Sequence, residues 1–208
     1  MNKSSQLDRQ KRMNVEKLLR VVVMLIVALW SRNLFAPAAR AQAGEPPFEV
    51  GADYNYVRAN GPPGGCGCFS MNGGNIWASV RLAHGFSAVG EFSGQYSNDV
   101  NATGADLTLY SYVFGPRYTL GSSRRWRPFA QLLVGGAHAS GAFEPAASGA
   151  SGSSNAFAMV AGGGLDADVT SHFALRLFEA DYYLTLFPNG VNGHQNNLRI
   201  SAGIILRF

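Results

Sequence analysis

The sequence predicts an all-β protein: an eight-stranded antiparallel up-and-down transmembrane β-barrel preceded by a cleaved signal peptide. Three observations carry that prediction. First, the closing run alternates Leu198, Ile200, Ala202, Ile204, Leu206 and Phe208 with Arg199, Ser201, Gly203, Ile205 and Arg207. A period of two puts the first set on one face of a strand. A wholly apolar face suits a closed barrel in lipid, where closure removes the greasy edge and the bilayer covers the face. Second, residues 21–30 are an uncharged apolar run behind a basic leader. Ten residues are too few to span a bilayer as a helix but have the length of a secretory-signal core. Third, the remainder is rich in Gly, Ser and aromatics and has no long helical period.

The small-x-small site Ala41-Gln-Ala43 before Gly44 divides the chain into a secretory signal over 1–43 and a barrel domain over 44–208. All three lysines and five of the fourteen arginines fall in the signal. The part after it keeps nine Arg against eleven Asp and Glu. The basic balance of the whole chain therefore belongs to the leader, and nucleic-acid binding, which needs a clustered basic patch, is not expected.

Eight stretches of β character follow in order. Residues 48–58 set Phe48, Val50, Ala52, Tyr54 and Tyr56 against Glu49, Gly51, Asp53 and Asn55. Residues 75–83 set Ile76, Ala78, Val80 and Leu82 against Trp77, Ser79 and Arg81, and 86–96 set Ala88, Gly90, Phe92 and Tyr96 against Val89, Glu91, Ser93 and Gln95. Residues 106–120 oppose Tyr110, Tyr112, Phe114 and Tyr118 to Ser111, Val113, Gly115 and Arg117. The fifth, 128–140, alternates less clearly around Gln131. The sixth, 156–169, opposes Phe157, Met159, Ala161 and Leu165 to Gly162, Gly164, Asp166 and Asp168. The seventh, 173–184, carries Arg176, Glu179 and Asp181, and the parity change between Arg176 and Glu179 predicts a bulge. The eighth is 197–208. Tight turns at 83–85 and 170–172 and a medium one at 121–127 alternate with longer Gly/Ser/Asn-rich segments near 59–74, 97–105, 141–155 and 185–196. Short turns at one end and long loops at the other are the outer-membrane pattern, and an even strand count puts both termini on the periplasmic side.

These parities aim Glu49, Asp53, Arg81, Glu91, Arg117, Asp166, Asp168, Arg199 and Arg207 into the lumen. An eight-stranded barrel is narrow enough for side chains to fill. Buried charges must find partners, so the expectation is a plug of ion pairs. Tyr54, Tyr56, Tyr110, Tyr112, Tyr118 and Trp126 are expected in the aromatic girdles at the membrane surfaces. Cys66-Gly-Cys68 falls in the first long loop, where a loop staple, an intermolecular bridge and unlinked thiols are all open. Two thiols do not complete a metal site, and no cofactor is expected.

The stretch Ser201-Ala-Gly203-Ile-Ile-Leu206-Arg-Phe208 resembles the C-terminal assembly signal of bacterial outer-membrane barrels, with Ser201, Gly203, Leu206 and Phe208 in its specified places. Val89-Gly-Glu-Phe-Ser-Gly94, Tyr112-Val-Phe-Gly-Pro-Arg-Tyr118, Asn155-Ala-Phe-Ala-Met-Val-Ala-Gly-Gly-Gly-Leu-Asp166 and Asn197-Leu-Arg-Ile-Ser-Ala-Gly203 resemble the strands of small outer-membrane barrels of the OmpA type. The resemblance implies a non-enzymatic, monomeric outer-membrane protein in contact with lipid and with the barrel-assembly machinery. It also implies a structural role or an unknown surface ligand for its four long loops. Two alternatives stand beside it. One is a narrow pore for small solutes. The other is a lipid A-modifying hydrolase, because His138-Ala-Ser140 with Glu144 resembles the His-x-Ser arrangement of outer-membrane deacylases. Gly141 stands where those enzymes carry Asn.

Overall fold

The computed structural model describes residues 47–60, 68–98, 100, 106–120, 125–141, 152–187 and 193–208. Eight strands run in chain order: β1 (Phe48–Asn60), β2 (Cys68–Ala83), β3 (Phe86–Ser97), β4 (Leu107–Thr119), β5 (Trp126–Gly141), β6 (Gly152–Asp168), β7 (Phe173–Thr185) and β8 (Gln195–Arg207). Each pairs antiparallel with the next, and β8 pairs with β1 to close the barrel.

Period-two patterning sets the register. On β8, Leu198, Ile200, Ala202, Ile204 and Leu206 face outward and Arg199, Ser201, Ile205 and Arg207 are buried inside. At the seam, Phe48 and Phe208 exchange two backbone hydrogen bonds (3.3 and 2.9 Å) and their rings lie 6.3 Å apart on the outer surface. The β2–β3 hairpin turns on His84 and Gly85 at φ 53° and 82°, the left-handed pair that a two-residue hairpin needs to match strand twist. In β7 the register slips between Arg176 and Glu179. One extra residue there returns both charges to the inside.

The strands are longer at the outer end than alternation predicts. The segment 59–74, expected as a loop, is mostly strand: β1 continues to Asn60 and β2 begins at Cys68. Cys68 therefore lies in a strand; Cys66 falls outside the described residues. Likewise β5 runs on to Gly141 and β6 starts at Gly152. In these extensions the pattern inverts. Phe69 and Met71 are buried inside while Ser70 and Asn72 face out, so an apolar-out template finds no strand. The turn expected at 121–127 also ends earlier, because Trp126 and Arg127 belong to β5.

Candidate functional site in the lumen and at the outer rim

The lumen has two chemically distinct storeys. Toward the tight-turn end, all eight strands contribute to one polar lattice. Arg176 on β7, fully buried, donates from Nη1 to Asp53 on β1 (3.1 Å) and Glu179 (2.5 Å), and from Nε to Asp166 on β6 (3.0 Å). Arg199 on β8 is bonded to Glu91 on β3 and donates to Asp181 on β7 at 2.8 Å. Asn75 on β2 bridges Asp53 (3.2 Å) and Glu91 (3.3 Å). Arg117 on β4 donates to Gln131 on β5 (2.8 Å), whose amide passes the contact to Glu179 (2.7 Å). At the mouth, Glu49 accepts from Arg127 and Arg207 (2.9 Å each), and both arginines also reach Asp168 (3.2 and 2.6 Å).

Two aromatic rings sit among these charges for a reason. The Arg117 and Arg176 guanidiniums each lie 4.3–4.6 Å from the ring centroids of both Trp77 and Phe129. The rings give both guanidiniums a cation–π contact; Arg117 otherwise bonds to the Gln131 amide, whereas Arg176 also holds three carboxylates. Trp77 also donates to Asp53 at 2.8 Å. Inward glycines supply the clearance. A Cβ on Gly51 would lie 2.2 Å from the Trp77 ring, one on Gly203 would lie 2.3 Å from Asp53 Oδ1, and one on Gly162 would lie 2.3 Å from Asp181 Oδ1. Both of those carboxylate oxygens lack a hydrogen-bond partner, and each fills the space a side chain would have taken.

Toward the long-loop end the lumen turns apolar. Val57, Phe69, Met71, Leu109, Leu133 and Val160 pack together with Val100 and Phe187, which lie beyond the ends of β3 and β7. Between the storeys lies a belt of smaller polar groups, including a Ser93–Ser111 bond of 2.7 Å and an Asn55–Asn75 bond of 3.3 Å. Outside, at the height of the switch, side chains pair across strands. Tyr54 donates to Asn72 (2.7 Å), Tyr56 bonds Ser70 (2.7 Å), and Tyr182 bonds Asn196.

Eight of the nine charges assigned to the lumen from sequence take part in this lattice. The ninth, Arg81, is half-buried at the end of β2, its backbone N–H bonded to Pro47. Sequence reasoning left Arg176, Glu179 and Asp181 without a face and put Arg127 in a turn; all four are buried members. The bulge signal in β7 was the available clue to the first three. Of the four residues in the terminal motif, Ser201 and Gly203 point inward, whereas Leu206 and Phe208 are exposed on the outer surface. Ala41, Ala43 and Gly44 lie outside the described residues. His138 and Ser140 share the outward face of β5, with His138 Nδ1 2.8 Å from Asn155 Oδ1 on β6; Glu144 lies outside the described residues. Among the described residues no trio of His, Cys, Asp and Glu is arranged to hold a metal ion.

Residues 33–205 match the family described as outer membrane protein beta-barrel domain. The chain belongs to that family. No curated protein matches it by sequence. Among solved structures, the chain is similar to neisserial surface protein A (18% identity, 77% of this chain and 97% of that one, TM-score 0.60). It is also similar to the attachment invasion locus protein Ail of Yersinia pestis (16%, 76% and 99%, 0.49) and to the N-terminal barrel of OprF from Pseudomonas aeruginosa (17%, 77% and 97%, 0.45). The protein is thus a small β-barrel of the Gram-negative outer membrane. In such barrels the short turns are periplasmic and the long connections extracellular, which makes the charged storey periplasmic and the apolar one outermost.

Proposed function

We propose that this protein is a non-enzymatic, non-conducting monomer whose work is done by its four outer segments, in envelope integrity or surface contact. The observation that carries the reading is the filled lumen. A solute entering from the periplasm would have to break the Arg176 and Arg199 pairs, each in a low-dielectric site, at a cost of several kcal/mol. One entering from outside would have to displace apolar side chains packed to zero exposure at Val57, Leu133 and Val160. A rigid scaffold that carries variable connections at one end is a common way to present binding residues. In this reading the barrel-assembly machinery recognises Leu206 and Phe208 from the lipid-facing side, and the segment 1–43 is removed before Gly44.

The test is planar-bilayer conductance of the refolded barrel beside mass analysis of lipid A from cells that produce it. No stepwise conductance and unchanged acylation are expected. Discrete conductance steps would establish the pore instead. Loss of an acyl chain that depends on His138 and Ser140 would establish the hydrolase.

A further inference from the structure

The polar belt between the two storeys is under-bonded. Asn55, Gln95, Thr185, Asn197 and Ser201 are each no more than 3% exposed, yet all hold polar atoms that find no hydrogen-bond partner among the described residues. Gln95 leaves both its amide nitrogen and its amide oxygen in that condition. Buried polar groups in folded proteins are bonded to protein or to ordered water, and leaving one unpaired is costly. These side chains also share one layer. Register runs from Gln95 on β3 through Gly73 on β2 to Asn55 on β1 and Ser201 on β8. Gly73 puts no side chain between the two amides, whose strands stand two spacings apart, roughly 10 Å. Asn197 on β8 pairs with Tyr183 on β7, one inward position from Thr185, and Tyr183 faces Ser111 on β4. The layer therefore crosses the lumen.

We infer that this layer binds a closed cluster of water molecules. The chemistry of the unpaired atoms selects the occupant. The Asn55 and Asn197 oxygens only accept, the Gln95 nitrogen only donates, and the Thr185 and Ser201 hydroxyls do either. Donors and acceptors are both present, so distance and not chemistry keeps them from pairing. A cation would serve the acceptors alone and an anion the donors alone. Water serves both, with about two to four bonds per molecule. The layer is sealed on both sides. Above it Val57, Leu133 and Val160 are packed to zero exposure, and below it lie the buried pairs of Arg176 and Arg199. Water held there bridges β1, β3, β7 and β8 and does not flow. It is the joint between an ionic interior and an apolar one.

Nuclear magnetic resonance of isotope-labelled protein, extracted from outer membranes into detergent, tests this with bulk water as the probe. The buried Gln95 side-chain amide should show cross-peaks to water with the sign of a long-lived contact. Thr185→Val keeps the shape of the side chain and removes its hydroxyl, so the direction of its effect is decisive. A hydrated layer loses a bridge, and the midpoint of urea unfolding falls. A dry layer loses only an unpaired hydroxyl, and the midpoint stays or rises. Heat-modifiability on gels confirms that the variant is folded. A fall in the midpoint together with the Gln95 cross-peaks is the expected result. Absent cross-peaks, or a midpoint that does not fall, would each overturn the inference. Cross-peaks that vanish when sodium and potassium are replaced by choline would overturn it too, because that water would belong to a bound cation.

Discussion

The lumen around Arg176 and the lumen around Met71 are enclosed by the same barrel and filled by opposite chemistry. Around Arg176 the outer surface of the barrel meets lipid, and the inside is ionic. Around Met71 and Phe69 the inside is apolar, and the flanking outward residues are Ser70 and Asn72. The difference follows from what surrounds each storey. Above the membrane surface, water solvates the outer face, and apolar burial stabilises the interior as it does in a soluble barrel. Within the membrane the outer face must be apolar. The alternating polar positions then point inward, and only complete pairing makes them tolerable. The height at which the two patterns exchange is marked outside by the Tyr54–Asn72 and Tyr182–Asn196 pairs. Amphipathic aromatic side chains are favoured at just that boundary.

Breaking the ionic storey should have the largest effect. Arg199→Met strands Glu91 and Asp181 without their cation, and removing one partner of a buried pair costs about 3–5 kcal/mol. Urea titration of the refolded barrel should show that loss, and a change under about 1 kcal/mol would mean that the lattice is hydrated and slack. In the apolar storey, Leu133→Ala should cost about 2–3 kcal/mol through lost burial and the cavity it leaves. The two storeys can be told apart by ionic strength, which should leave the Leu133→Ala deficit unchanged.

Gly203→Ala tests whether this glycine belongs to the lumen. Its Cβ would sit 2.2 Å from Ala52 O and 2.3 Å from Asp53 Oδ1, an overpacking that should cost about 1–3 kcal/mol in vitro. If the glycine serves only as a recognition mark, the refolded variant will be as stable as the wild type and its defect will appear only in cells. Phe208→Ala should behave in the reverse way. It loses a ring contact with Phe48, about 0.5–1.5 kcal/mol, and still refolds in detergent, while in cells it accumulates in the periplasm. Wild-type levels in the outer membrane would make Phe208 ordinary lipid-facing bulk. Smallest of all, Asn72→Ala removes one exposed bond to Tyr54 and should cost about 0.5 kcal/mol in the same urea assay.

Strand number, face and the β7 bulge were legible because lipid enforces a single alternation over the membrane span, and runs such as Leu198–Phe208 display it directly. The outer extensions were not, since Phe69 and Met71 invert the alternation amid Gly, Ser and Asn that read as loop. Arg127 was hidden by its neighbours: Arg124 and Arg125 precede it and Pro128 follows, a basic, proline-bounded stretch with the look of a turn. The partners within the lattice were illegible for a different reason. Glu91 meets Arg199 and Glu49 meets Arg207 across separations of 108 and 158 residues, and closure of the barrel alone decides those neighbours.

The clearance at Gly203 has a consequence for descent. Any coding change at that position adds atoms against the Ala52 carbonyl as well as the Asp53 carboxylate, so Gly203 cannot drift while β1 keeps its course. A shorter residue at Asp53 would leave the clash with the Ala52 carbonyl in place and take one anion from Arg176. Homologous sequences that keep this pairing of β1 with β8 should therefore keep glycine at this position whatever residue stands in place of Asp53.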